Sequence, residues 1–139
     1  MRLVQTVLDA PDTRALAEFY RQLLGWSYRP GDEPPAEGGS EPEVPEWLAL
    51  REPDGGPQLA FQRVEELPRS TWPDQSIPQQ LHLDLAVSSV QELQAEHDKA
   101  LQLGATVLLD RTDDPDEPLW VFADPAGHPF CIFVDTYGG

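Results

Sequence analysis

His82 and Asp84 stand two residues apart in the run Gln80-Leu-His-Leu-Asp-Leu-Ala-Val87, a spacing that puts an imidazole and a carboxylate on the same side of an extended chain. An imidazole titrates near neutral pH and can move a proton, and a nearby carboxylate can orient it. The same carboxylate could supply a metal with an oxygen, or accept the imidazole N–H of a metal-bound histidine. Leu81, Leu83, Leu85 and Val87 fill the alternate positions, so the run predicts a strand with one face in a core and Gln80, His82, Asp84 and Ala86 on the other. With no nucleophile or metal assured beside it, the plainer reading of His82 is a hydrogen-bonded pocket histidine.

Cys131 is the sole cysteine, which excludes an internal disulfide and the zinc frameworks that need several thiolates. Alternation along 129–135 puts it on the concave face, between Pro129 and Phe133. No basic residue in the local sequence lowers its pKa, so a small buried hydrophobe is its expected role. His97 falls mid-helix and His128 in a turn; neither joins the polar row, and both read as structural or surface residues. Trp47, Trp72 and Trp120 could wall a pocket that stacks a planar ligand, or could simply pack the core and loops.

The elements that must position these groups fit one domain of 139 residues. Nine basic against 25 acidic residues leave a net charge of −16, which repels nucleic acid and anionic lipid and favours, if anything, a cationic ligand. The first residues lack an apolar stretch of signal-peptide length and no run is long enough to span a bilayer, so a reducing cytoplasm is the expected setting.

A short strand over 3–8 leads through Asp9-Ala-Pro-Asp12, with Asp12 as N-cap, into a helix whose apolar stripe is Leu16, Phe19, Tyr20, Leu23 and Leu24 and whose stop is Gly25. Strands are expected at 26–29, 47–50 and 58–64, the last two joined by Pro53-Asp54-Gly55-Gly56. Residues 31–46 carry six acids, no base, four prolines and three glycines; this segment predicts a mobile loop, either a lid or a solvated connector. Residues 65–78, with three prolines, read as a linker.

The order then restarts. The strand 80–87 precedes Ser88-Ser89 as caps and a helix over about 90–103 with a stripe of Val90, Leu93, Ala100 and Leu101. Gly104 stops it, and strands at 106–109, 119–123 and 129–135 follow, the last two joined by Asp124-Pro125-Ala126-Gly127. Gln5 falls over His82 and Gly25 over Gly104 with offsets differing by two residues, so the unit strand, helix, strand, strand, strand is written twice. The expectation is an α+β fold of two tandem βαβββ repeats, about 1–66 and 79–139 around a linker at 67–78. Their sheets would form an open, cupped, barrel-like cavity with the helices outside and the polar rows lining it.

This pattern resembles the vicinal oxygen chelate superfamily, the glyoxalase, bleomycin-resistance and extradiol dioxygenase group. The residues that carry the resemblance are Val7-Leu8-Asp9, Phe19-Tyr20 and Leu23-Leu24-Gly25-Trp26, then His82-Leu83-Asp84, Leu103-Gly104-Ala105 and Phe122-Ala123-Asp124-Pro125-Ala126-Gly127-His128-Pro129-Phe130. Leu59-Ala60-Phe61-Gln62-Arg63-Val64 and Thr71-Trp72-Pro73 are similar to a small glyoxalase-like branch. The resemblance implies a divalent metal held by one residue from the first and last strand of each repeat, slots that fall on Gln5, Gln62, His82 and Cys131. Only His82 keeps the usual type; Gln5 stands where a histidine, and Cys131 where a glutamate, is expected. Such a set offers a hard cation no carboxylate, and two carboxamides complete a zinc site poorly. No metal or other cofactor is therefore expected.

Two function classes remain open. One is a small-molecule binding protein of the bleomycin-resistance type that holds a small aromatic or cationic ligand among Gln5, Gln62, His82, Asp84, Cys131, Trp47, Trp72 and Trp120, with a degenerate metal site. The other is a metal-dependent lyase, isomerase or dioxygenase of the same superfamily, since fold alone does not dictate chemistry. The resemblance implies a homodimer in either case.

Overall fold

In a computed structural model, residues 1–136 are described and divide into two compact units, Met1–Leu67 and Pro68 onward. The last three residues of the expected second repeat lie outside the described residues. Each unit repeats one α+β topology. In the first, β1 (Gln5–Ala10), α1 (Thr13–Leu24), β2 (Ser27–Tyr28), β3 (Trp47–Arg51) and β4 (Gln58–Arg63) give a sheet of order β1-β4-β3-β2. In the second, β5 (Leu83–Val87), α2 (Val90–Leu103), β6 (Thr106–Arg111), β7 (Leu119–Ala123) and β8 (Pro129–Val134) give the order β5-β8-β7-β6. The first and last strands of each unit pair parallel, because the helix crosses between the start of one and the rest of the sheet; the hairpin pairs are antiparallel.

Local chemistry sets the helix ends. Asp12 caps α1 by accepting from the Ala15 N–H, and Gly25, at φ +71°, ends it in the left-handed conformation. Ser89 Oγ accepts from the Glu92 N–H at 3.1 Å while Glu92 Oε2 takes the Ser88 N–H at 2.9 Å, a reciprocal cap that starts α2. Four of the five residues of the α1 stripe, Leu16, Phe19, Tyr20 and Leu23, are buried as the periodicity predicts, on the side of the sheet that carries Phe61, Leu48, Leu50 and Leu59, while Leu24 is only partly buried. The α2 stripe differs from expectation. Val90 and Leu101 are exposed, and the inward line runs Leu93, His97, Ala100, with the imidazole of His97 filling an apolar position. That ring lies 4.3 Å from the Trp120 ring, tilted 32°, and 5.9 Å from that of Phe122. His97 is thus structural.

Residues 31–46 are anchored rather than loose. Arg14 on α1 donates to both Glu41 carboxylate oxygens, at 2.8 and 3.1 Å, and to the Asp32 carbonyl at 2.7 Å. Asp32 in turn accepts from the Ala49 N–H at 3.0 Å, and Thr13 Oγ1 donates to the Pro45 carbonyl at 2.6 Å. Composition points to disorder because it counts the acids of the segment without the guanidinium groups outside 31–46 that hold them, Arg14 on Glu41, Arg29 on Asp32 and Arg63 on Glu46. Residues 68–78, within the expected linker, group with the second unit.

Candidate functional site: a pocket on the second sheet

The two faces of the second sheet differ in chemistry. Register places Phe130, Ile132 and Val134 with Leu83, Leu85, Val87, Trp120 and Phe122 on the helix-covered face, and Asp84, Cys131, Val121, Leu119, Leu109 and Arg111 on the other. A pocket of about 270 Å³ opens on that second face, lined by Trp72, Gln79, His82, Asp84, Leu109, Arg111, Glu117, Leu119, Val121 and Cys131. Its floor is apolar, from Cys131 on β8 across Val121 and Leu119 on β7 to Leu109 on β6. Charge stands at the rims, with Asp84 on one edge strand of the sheet and Arg111 on the other.

Two local features aim these groups. His82 lies just before β5, yet its Nε2 is 3.3 Å from Asp84 Oδ1, so the imidazole and carboxylate meet as their two-residue spacing predicts. On β6 the register shifts between Val107 and Leu109, so that Val107 stands opposite Phe122 but Leu109 opposite Val121. One extra residue there turns Leu109 and Arg111 toward the pocket; unbroken alternation from Val107 would have sent both to the helix side. Cys131 sits in the floor as a thiol. Burial, then the negative charges of Asp84 and Glu117, push its pKa from 9.0 to about 12, so it is no thiolate near neutral pH.

Trp72, His82, Asp84 and Cys131 are therefore brought together within one unit. Trp120 is not among them, because it faces α2 and stacks on His97. Gln5, Gln62 and Trp47 belong to the first unit and share one face of its sheet. The register sets Gln5 opposite Gln58 and Gln62 opposite Asp9, leaving the two expected metal slots four residues apart along the strands, roughly 13 Å. The partner of Gln5 by register is Gln58, which the sequence reading passed over, as it did Gln79, Arg111 and Glu117. His128 lies in the β7–β8 turn, where its backbone N–H bonds Asp124 at 3.0 Å. A second hollow of about 330 Å³ borders Arg14, Glu18, Glu41 and Glu43, but its guanidinium is already engaged with Glu41 and the Asp32 carbonyl.

The residues present do not fit a resident divalent ion. Among the described residues no three His, Cys, Asp or Glu side chains gather as a metal site. Of the donors that do converge, His82 and Asp84 already face each other, and Cys131 is a buried thiol that would have to release its proton to bind. What the pocket can do is hold a small, partly apolar molecule against an indole while polar groups at either rim fix its orientation.

Known structures share this architecture. A glyoxalase/bleomycin resistance protein/dioxygenase family enzyme from Burkholderia phytofirmans PsJN is 17% identical, with a TM-score of 0.69 over 96% of this chain and 98% of its own. A glyoxalase-related enzyme from Fulvimarina pelagi is 19% identical, with a TM-score of 0.66 over 97% and 88% of the two chains. A glyoxalase/dioxygenase from Nostoc punctiforme is 20% identical, with a TM-score of 0.63 over 96% and 90%. These likenesses establish the fold. No curated protein matches the sequence significantly. The profile of the glyoxalase-like domain matches residues 5–133, nearly the whole described chain. With its duplicated topology and its closing Asp124-Pro125-Ala126-Gly127 turn, the chain belongs to the glyoxalase-like domain family of the vicinal oxygen chelate superfamily.

Proposed function

We propose that this chain is a small-molecule binding protein whose second-unit pocket holds a small planar ligand, aromatic or cationic, without a metal. The observation that carries the proposal is the joint lining of one pocket by Trp72, the His82–Asp84 pair and the protonated Cys131 over an apolar floor. An indole offers a flat surface and a negative π-face, and the two carboxylates of Asp84 and Glu117 outnumber the single guanidinium of Arg111 in the lining; both features suit a flat cation. A volume near 270 Å³ suits a molecule of one or two rings. A homodimer in the cytoplasm belongs to the same proposal, and sedimentation equilibrium tests the dimer.

The alternative, a metal-dependent lyase, isomerase or dioxygenase, draws on the His82–Asp84 contact as an acid–base pair. A single comparison separates the two. After stripping and reloading with nickel, manganese, iron or zinc, elemental analysis should give well under one equivalent per chain. In a thermal-shift screen, planar aromatic cations should raise the melting temperature, with Trp72→Ala and His82→Ala each abolishing the rise. A stoichiometric metal lost in His82→Ala, with turnover of a hemithioacetal or a catechol, would overturn the binding reading in favour of the enzyme.

A further inference from the structure

Residues 69–77 are fastened to the β7–β8 turn through Arg69 and closed upon themselves between Thr71 and Ile77, with Trp72 inside the closed loop. Upstream, Arg69 reaches the β7–β8 turn, where Nη1 donates to the Pro125 carbonyl at 3.1 Å and Nη2 to the Asp124 carbonyl at 3.4 Å. Gly127 makes the approach possible: a Cβ there would stand 2.9 Å from Arg69 Cγ, and the backbone has φ +99°. The receiving turn is itself rigid. Buried Asp124 accepts the Ala126 and His128 N–H groups at 2.9 and 3.0 Å and donates its own N–H to the His128 carbonyl at 2.9 Å.

Downstream, Thr71 closes a loop upon Ile77. Its N–H donates to the Ile77 carbonyl at 2.8 Å, and its Oγ1 accepts the Ile77 N–H at 2.9 Å. Ser70 Oγ takes the Trp72 N–H at 3.2 Å. The backbone that carries the indole is thus tied on both sides, which leaves little beyond two side-chain torsions to order when a ligand arrives. Ordering a mobile wall would cost part of the binding free energy; a wall held in place avoids that cost.

We propose that residues 69–77 form a specificity element of the pocket, in which Arg69 is a positioning residue that holds the Trp72 indole where it selects flat ligands. Arg69 acts through the Asp124–His128 turn and does not touch the ligand. The closing turn that marks the family thereby serves a second purpose here, as the seat of the arginine. This inference rests on the pocket's being the binding site, so its test includes a readout that needs no ligand.

The protein labelled with 5-fluorotryptophan should show a separate fluorine resonance for each of its four tryptophans, with that of Trp72 assigned by Trp72→Phe. Arg69→Ala should shift and broaden the Trp72 line while leaving the Trp120 line in place. The same variant should weaken binding of 1-methylquinolinium about tenfold, the size of one stacking contact. Binding of cyclohexyltrimethylammonium, a cation that cannot stack, should stay within about twofold of wild type. Arg69→Met, which keeps the stem over Gly127 and removes both donors, carries the test if the alanine variant melts early. A Trp72 line unmoved in both variants overturns the positioning role alone. Failure of the wild type to bind either cation overturns the pocket reading and the selectivity with it, even where the line responds.

Discussion

Arg14 and Glu41, 27 positions apart in sequence, meet as a two-pronged pair with Nη2 to Oε1 at 2.8 Å and Nε to Oε2 at 3.1 Å. The guanidinium also lies 5.0 Å from the centre of the Tyr28 ring, so a single side chain on α1 fastens an acidic segment and covers an aromatic. Such paired, charge-assisted hydrogen bonds rank among the stronger polar contacts available to a protein.

Removing one prong should free the segment. Glu41→Gln should raise amide hydrogen exchange across residues 31–46 several-fold, and Arg14→Met should cost about 1–2 kcal/mol of stability in urea unfolding. Protection that remains at the wild-type level in both variants would show that the acids are held by something other than this pair.

The same contact predicts an acid dependence. The Arg14 hydrogen bond holds the Glu41 carboxyl below its ordinary value of 4.5. A group lowered on folding contributes stability that is complete above that value and is lost as the pH falls through the lowered one. Exchange over 31–46 should therefore accelerate below about pH 4.5 in the wild type, with Glu41→Gln already fast and flat over the same range.

An alkaline limb should come from Cys131 and Tyr28. Burial raises the thiol from 9.0 to about 12 and the phenol from 10.0 to about 12. For groups raised on folding the contribution is complete below the ordinary value and vanishes as the pH climbs through the raised one. Melting temperature should fall between pH 9 and 12, and Cys131→Ala, whatever its constant cavity cost, should show a shallower fall. In the folded protein the thiol should resist an aromatic disulfide reagent at pH 8 and react on unfolding.

The ring pair of His97 and Trp120 should matter to stability and not to ligand. His97→Ala opens a gap under α2 and should cost about 1–3 kcal/mol, with a changed near-ultraviolet circular dichroism band from Trp120. Trp120→Phe should cost less, because Trp120 Nε1 is buried without a hydrogen-bond partner among the described residues and nothing is broken by its loss. Both variants should bind 1-methylquinolinium as the wild type does. A weakened response in either would return Trp120 to the pocket wall.

Much of the architecture was legible because it rests on periodicity and caps. The α1 stripe, the Asp12 and Ser89 caps, the two glycine stops and the duplicated order of elements all appear where spacing and turn chemistry put them. The His82–Asp84 contact was legible for the same reason, since two residues along an extended chain return a side chain to one side. Three features were not. The bulge at β6 inverts alternation without any glycine to announce it, which hid Arg111. In β7 the run Leu-Trp-Val-Phe-Ala is apolar on both faces, so no pattern could say which side Trp120 takes. The role of Arg69 depends on a contact 55 and 56 positions away in sequence, beyond what local spacing encodes.

The seam between Leu67 and Pro68 assigns the indole-bearing segment to the later half of the polypeptide. Every lining residue of the pocket, from Trp72 to Cys131, is therefore inherited on one side of that seam. The two units repeat one strand order, so a change to the pocket can be made in one of them without touching the sheet of the other. Recombination that joins this half to a foreign partner would carry the whole pocket with it.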